Sequence, residues 1–266
     1  MDGSEILAYL GALVVGLVLG LIGGGGSILT VPILVYLLGL NPVIATAYSL
    51  FVVGVTSAIG AFQNLRKKLV DIKTAIIFSI PAFMAVYVTR RWLVPAIPDE
   101  LFSINSFLVS KDIFIMIFFA IIMLLASISM IFSRHKAENE LPKIITYNYP
   151  MIAIEGFGVG ILTGIVGAGG GFLIIPALVL LAKLPMKKAV GTSLLIIAVK
   201  SLIGFLGDVQ TLTIDWKFLL TFTSISILGI LFGIYLSKLI SGKKLKKGFG
   251  WFTLIMAIYI IFKELL

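Results

Sequence analysis

The chain has 266 residues, of which 60% are hydrophobic and 12% charged, with a formal net charge of +9 and a mean hydropathy of +1.16. Soluble domains are nearer half apolar and a quarter charged. Composition therefore excludes an ordinary water-soluble protein, assigns the excess Lys and Arg to the cytoplasmic ends of membrane spans rather than to a nucleic-acid surface, and, with no cysteine, excludes disulfides and thiolate metal sites.

The first apolar run, 5–22, has an acidic flank (Asp2, Glu5) and leads straight into a glycine cluster, which does not read as a cleaved leader. Short apolar runs follow at 27–38 and, later, at 172–182, each directly after a glycine cluster and each too short for the roughly 20 residues that cross a bilayer. Six runs meet or approach that length: 43–63, 74–94, 111–133, 189–206, 218–237 and 248–265. Another arm, 150–166, precedes the second cluster. Asp71 and Asp215 stand just before new spans and read as helix N-caps. Pro32 and Pro176 fall inside the short runs, where they kink or shorten a helix. Trp92, Trp216 and Trp251 fall near span ends, as interface anchors do. His135, in the charged stretch RHKAEN, reads as solvated.

Displacing the sequence by 144 residues aligns 16–60 with 160–204 without a gap, and 18 of the 45 pairs are identical. Gly20/Gly164, Gly25/Gly169, Gly26/Gly170, Pro32/Pro176, Ser49/Ser193 and Gly60/Gly204 are among them, and the same offset pairs Asp71 with Asp215. Hydrophobicity alone does not align Gly, Pro, Ser and Asp. The chain is therefore an internal duplication, read as a first membrane repeat over 1–133, a cytoplasmic linker over 134–149 and a second repeat over 150–266.

Charge decides how the halves are oriented. If each glycine cluster is the tip of a re-entrant hairpin, each half crosses three times and the halves are inverted. One face then receives 15 basic residues and the other five (Arg90, Arg91, Lys111, Lys217 and Lys263), with Lys200 inside the membrane. If instead the arms cross fully, the halves are parallel, the bias vanishes, and Lys183, Lys187 and Lys188 are submerged, each at a cost of at least about 2.5–3.5 kcal/mol. The expected fold is an all-α polytopic membrane protein of two inverted-topology repeats, each a glycine-broken re-entrant hairpin plus three crossing helices. Both termini then lie outside.

Interrupted helices in inverted repeats hold substrate near the midplane. A helix N-terminus bares N–H groups and about half a positive charge, and glycine lets an anion approach them. The expected anion site comprises Gly23, Gly24, Gly25, Gly26 and Ser27 from the first break and Gly167, Ala168, Gly169, Gly170 and Gly171 from the second. Gly16/Gly20 and Gly160/Gly164 instead fit small-residue helix packing. Lys200, whose repeat partner is Thr56, is the basic residue of a span interior and is expected as counter-charge. Ser49, Thr192 and Ser193, with Ser57 and Ser201, are hydroxyls near the same depth that either donate to substrate or bond their own helix. Asn64 and Asp208 are repeat-equivalent; Asp208 reads as a helix-end carboxylate in water, with proton coupling as the rival role. No phosphate-binding loop is present, and one His with no Cys gives no transition-metal site. No cofactor is expected.

The paired glycine segments GLIGGGGSILTVP (20–32) and GIVGAGGGFLIIP (164–176), each trailed by an alanine-to-serine segment (45–49, 189–193), resemble the TauE/SafE family of sulfite exporters over nearly the whole chain. The resemblance implies about eight helices and a non-enzymatic secondary transporter of small sulfur-containing anions, such as sulfite or organosulfonates, acting as an exporter in a prokaryotic cytoplasmic (inner) membrane. The clusters differ, all glycine in the first and GAGGG in the second, so the halves are not equivalent at the site. A sulfonate's several acceptor oxygens suit converging N–H donors and an ammonium. A proton is the candidate coupling ion. The rival functions are an anion channel or a carrier of a different small organic anion; a membrane enzyme or a metal-cation importer wants buried His or carboxylates instead.

Overall fold

A computed structural model describes residues 3–24, 26–104, 107–132, 149–167, 169–180, 184–237 and 242–265. Of the expected linker at 134–149 only Tyr149, which opens α7, is among them; Gly25, Ala168 and His135 lie outside the described residues, as does the side chain of Ser27. In chain order the helices are α1 (Gly3–Ile22), α2 (Ser27–Pro32), α3 (Pro42–Arg66), α4 (Ile72–Val88), the short α5 (Val94–Ala96), α6 (Lys111–Phe132), α7 (Tyr149–Val166), α8 (Gly171–Leu180), α9 (Met186–Val209), α10 (Trp216–Leu236) and α11 (Gly242–Leu265). Among the described residues, five helical stretches are long and apolar enough to cross a membrane: Pro42–Arg66, Ile72–Ala96, Lys111–Ile128, Lys187–Val209 and Trp216–Leu236. The sixth expected run, 248–265, is helical within α11 and packs along α6.

Local chemistry sets most boundaries. Asp71 Oδ1 accepts from the Thr74 N–H, and Asp215 Oδ1 accepts from the Phe218 N–H, so both residues cap helices. Asn41 caps α3 in the same way, with Pro42 in the first turn where its missing N–H costs nothing. Pro32 closes α2, and the chain continues as a wider π-helical turn, Ile33–Leu37. A second π turn, Thr89–Leu93, joins α4 to α5. An antiparallel hairpin, β1 (Glu100–Ile104) with β2 (Phe107–Ser110), leads into α6; the apolar runs gave no sign of it.

The two halves interlock. The first arm of each half packs on a crossing helix of the other: α1 on α10, and α7 on α4. Both seams are made of small residues. A Cβ added at Gly229 would stand 3.1 Å from the Gly16 Cα, and one at Gly233 would stand 3.0 Å from the Gly20 Cα. Gly160 lies equally close to Ala82, and Gly164 to Thr89. Backbones that approach this closely replace hydrophobic force, which is weak between helices in lipid, with dispersion. The assignment of these four glycines to packing holds.

At the centre, the repeat-equivalent helices α3 and α9 lie against each other in antiparallel register. Gly54 abuts Leu202, Gly60 abuts Leu194 and Gly204 abuts Leu50, a register that brings the neighbourhood of Thr56 opposite that of Lys200. After each break the chain folds back. Gly26 lies against Val15 and Leu19, and Gly11 against Ile33, so α2 returns along α1; Gly170 lies against Thr163 at the equivalent place in the second half.

Candidate functional site

Both breaks need glycine. Gly23 and Gly167 adopt φ of +79° and +68°, a left-handed conformation that costs other residues roughly 1–2 kcal/mol. Each also tucks against the other half's central helix, where a Cβ would overlap Val190 on α9 or Thr46 on α3. The breaks then meet. A Cβ on Gly24 would stand 2.6 Å from the Gly171 Cα, so the two backbones are in direct contact with no side chain between them. α8 starts at Gly171 at this junction; of its first-turn N–H groups, that of Leu173 donates to the Gly170 carbonyl at 3.0 Å.

Two buried cations flank the second break. Lys200 is fully buried, and its ammonium donates to Thr163 Oγ1 at 2.6 Å, while that hydroxyl donates to the Val159 carbonyl. The Nζ also lies 3.0 Å from where a Gly170 Cβ would be. An ammonium has three donors, and among the described residues one hydrogen bond is formed.

Arg90 is the second cation. Sequence assigned it, beside Arg91, to an aqueous face; the structure overturns this, since Arg90 is 0% exposed. The π turn carries its side chain inward, into room left by two missing side chains. Its Nη2 lies 2.6 Å from the place of a Gly167 Cβ, and its own Cβ lies 3.1 Å from that of Gly207. Among the described residues, none of its three guanidinium nitrogens has a hydrogen-bond partner. Asp208 Oδ2 is 3.6 Å from Nε, close enough for ion pairing but long for a hydrogen bond. Asp208 also departs from its expected place in water. It is 2% exposed because α9 continues to Val209 against the π turn of α4, which covers its last turn.

The hydroxyls divide. Ser193 donates to the Gly23 carbonyl at 2.7 Å and lies equally close to the Val190 carbonyl, so it holds the first break in place. Thr192 accepts from the Asp71 N–H at the start of α4. Ser49, one helical turn on from Thr46, is buried with an oxygen that has no hydrogen-bond partner among the described residues, as are Ser57, Ser201 and Thr56. The structure thus gathers Gly167, Gly169, Gly170, Gly171, Gly24 and Lys200 into one region and adds Arg90. In the sequence, TRRW at a span end signals an interface anchor; only the unmatched carboxylate of Asp208 hinted that one arginine turns inward.

An anion fits this arrangement. Unpaired cationic donors buried in apolar surroundings are costly unless a negative group completes them. Among the described residues no cluster of His and carboxylates suited to a metal ion occurs.

A family model described as "Sulfite exporter TauE/SafE" matches residues 8–260. A "Probable membrane transporter protein" of Xylella fastidiosa (strain 9a5c) is 28% identical over 94% of this chain and 92% of its own length. "Probable membrane transporter protein YunE" of Bacillus subtilis (strain 168) is 34% identical over 81% of each chain. "Probable membrane transporter protein MJ0441" of Methanocaldococcus jannaschii is 38% identical over 41% of this chain and 43% of its own. No solved structure matches the chain. With that match across nearly its full length, five helices among the described residues long and apolar enough to cross a membrane, and relatives named as transporters, the chain belongs to the TauE/SafE sulfite exporter family of multi-pass membrane transporters.

Proposed function

We propose that the protein is a secondary transporter that carries small sulfur-containing oxyanions, such as sulfite or an organosulfonate, across a prokaryotic cytoplasmic membrane. The observation that carries this reading is the contact of Gly24 with Gly171 beside two fully buried cations, Lys200 and Arg90, whose donors are largely unpartnered. The α8 N-terminus, the guanidinium fork and the ammonium together supply the N–H donors that a three-oxygen headgroup accepts from. Export as the working direction rests on the family's description.

Alternating access is the mechanism this reading uses, with the two glycine-tipped hairpins moving against the α3–α9 centre. Inverted topology is supported by the antiparallel register of α3 and α9, which are repeat-equivalent, and by the return of α2 along α1. The same register sets Gly191 against Leu69 and Asn64, which gathers Arg66, Lys67, Lys68, Lys187 and Lys188 at one end, as a cytoplasmic face requires. The termini then lie outside and 134–149 inside. A Thr211→Cys variant of this cysteine-free chain is expected to react with impermeant maleimide from the outside; labelling from the cytoplasm alone contradicts the orientation.

Transport itself is tested in proteoliposomes with radiolabelled sulfite. A carrier takes up label faster when unlabelled sulfite is loaded inside, because the return step is then substrate-loaded. Uptake that internal sulfite leaves unchanged, with conductance that persists at both faces, supports a channel instead; no sulfite or sulfonate flux removes the substrate assignment.

A further inference from the structure

We infer that Asp208 sets the valence of the anion the site accepts and limits it to monoanions, so that sulfite enters as hydrogensulfite. This rests on the anion site proposed above and adds a rule about which members of that chemical class enter it.

Arg90 and Lys200 are both 0% exposed and Asp208 is 2% exposed. Among the described residues, the groups placed beside them are neutral: Thr46 and Gly167 at the guanidinium, Thr163 and Gly170 at the ammonium, Gly207 behind Arg90. Of the other charged groups, Arg91 is half-buried on the following residue of the π turn, Asp215 stands exposed seven residues beyond Asp208, and Glu155 lies about 12 Å along α7 from Thr163 at 1.5 Å per residue. With Arg90 and Lys200 protonated and Asp208 ionised, the enclosed set carries a surplus of one positive charge. In a poorly solvated interior an uncompensated charge is far more costly than a compensated one. One negative charge on the ligand closes the set. Two overshoot it.

The position of Asp208 supports the same reading. Its Oδ2 stands 3.6 Å from Arg90 Nε without a hydrogen bond, and among the described residues Nη1 and Nη2 have no hydrogen-bond partner. The carboxylate therefore neutralises the guanidinium in part while leaving its fork free for a second, bidentate anion. Asn64, the repeat equivalent of Asp208, is neutral and donates to its own helix at the Gly60 carbonyl. The repeat equivalents of Lys200 and Arg90 are Thr56 and Ile234. Arg90 of the first repeat meets Asp208 of the second, while the positions equivalent to all three charged residues are neutral, so the charged set is formed once and not twice.

The experiment compares methanesulfonate, a monoanion, with sulfate, a dianion of nearly the same size and oxygen geometry, by calorimetric titration of the purified full chain. Wild type is expected to bind methanesulfonate at least tenfold more tightly than sulfate. Asp208→Asn raises the surplus to two and is expected to reverse the order, whereas Asp208→Glu keeps the wild-type order. Wild type that favours sulfate, or Asp208→Asn that keeps the wild-type ratio, overturns the inference while leaving the anion site standing. Wild type that binds neither anion overturns the site and the inference together. Should Asp208→Asn fail to fold, the wild-type and Asp208→Glu ratios still decide, because both must favour the monoanion.

Discussion

Arg90→Gln is expected to weaken binding of sulfite or methanesulfonate by about 30- to 150-fold, because it removes charge-assisted hydrogen bonds worth about 2–3 kcal/mol in a buried setting. Glutamine retains much of the side-chain volume but carries no charge, so the loss reads charge and fork rather than packing. The substitution also leaves Asp208 buried without its cation, and removing one partner of a buried pair costs about 3–5 kcal/mol. Thermal stability of the single variant should therefore fall. In Arg90→Gln/Asp208→Asn the unpaired carboxylate is gone and stability should largely return. Binding should return only in part, since Lys200 restores the surplus of one positive charge while the fork is still missing. Lys200→Ala is expected to weaken binding by at least tenfold, about 1.4 kcal/mol. Calorimetric titration with melting curves on these three variants and the wild type separates the roles: binding that recovers fully along with stability in the double variant assigns Arg90 to the fold alone.

Gly171→Val is expected to abolish transport. A Cβ at this position already meets the Gly24 backbone and lies 2.6 Å from Ile197 Cδ1, so a branched side chain has to force the two breaks apart. Overpacking of this kind typically costs 1–3 kcal/mol, and more where the opposing group is backbone that has no rotamer to change. The expected result is a lower melting temperature together with loss of sulfite flux. Gly158→Ala serves as the control. It lies within α7 with nothing within 4 Å of its added Cβ, so alanine relieves a helix-propensity deficit of about 1 kcal/mol and flux is unchanged. If Gly171→Val transports at the wild-type rate, the close approach of the breaks has no part in function.

The helical frame was legible in the sequence because hydrophobic run lengths, caps and small-residue spacing act locally. Asp71 and Asp215 cap as their positions before new spans suggested, and Gly16, Gly20, Gly160 and Gly164 pack as their spacing suggested. The duplication also located both glycine breaks. What the sequence left open depends on tertiary packing. Nothing in TRRW distinguishes the arginine that turns inward from the one that does not; that follows from a π turn and from side-chain room made by Gly167 and Gly207, distant in sequence. Ser193 reads as a ligand hydroxyl until the Gly23 carbonyl is placed beside it. Helix ends shift for the same reason: the span expected at 74–94 runs to Ala96 because the π turn carries the helix past Val88. The hairpin at 100–110 escaped notice because it falls between the apolar runs that organised the reading.

Crystals grown with bromomethanesulfonate, with data collected at the bromine absorption edge, locate the anion without reference to any variant. If the two glycine breaks and the two buried cations form the binding site, the anomalous peak lies in the space bounded by Gly167, Gly170, Arg90 and Lys200, with the sulfonate oxygens facing the guanidinium. A sulfonate that binds in solution but gives its peak elsewhere, with Arg90 and Lys200 still turned only to Asp208 and Thr163, contradicts it.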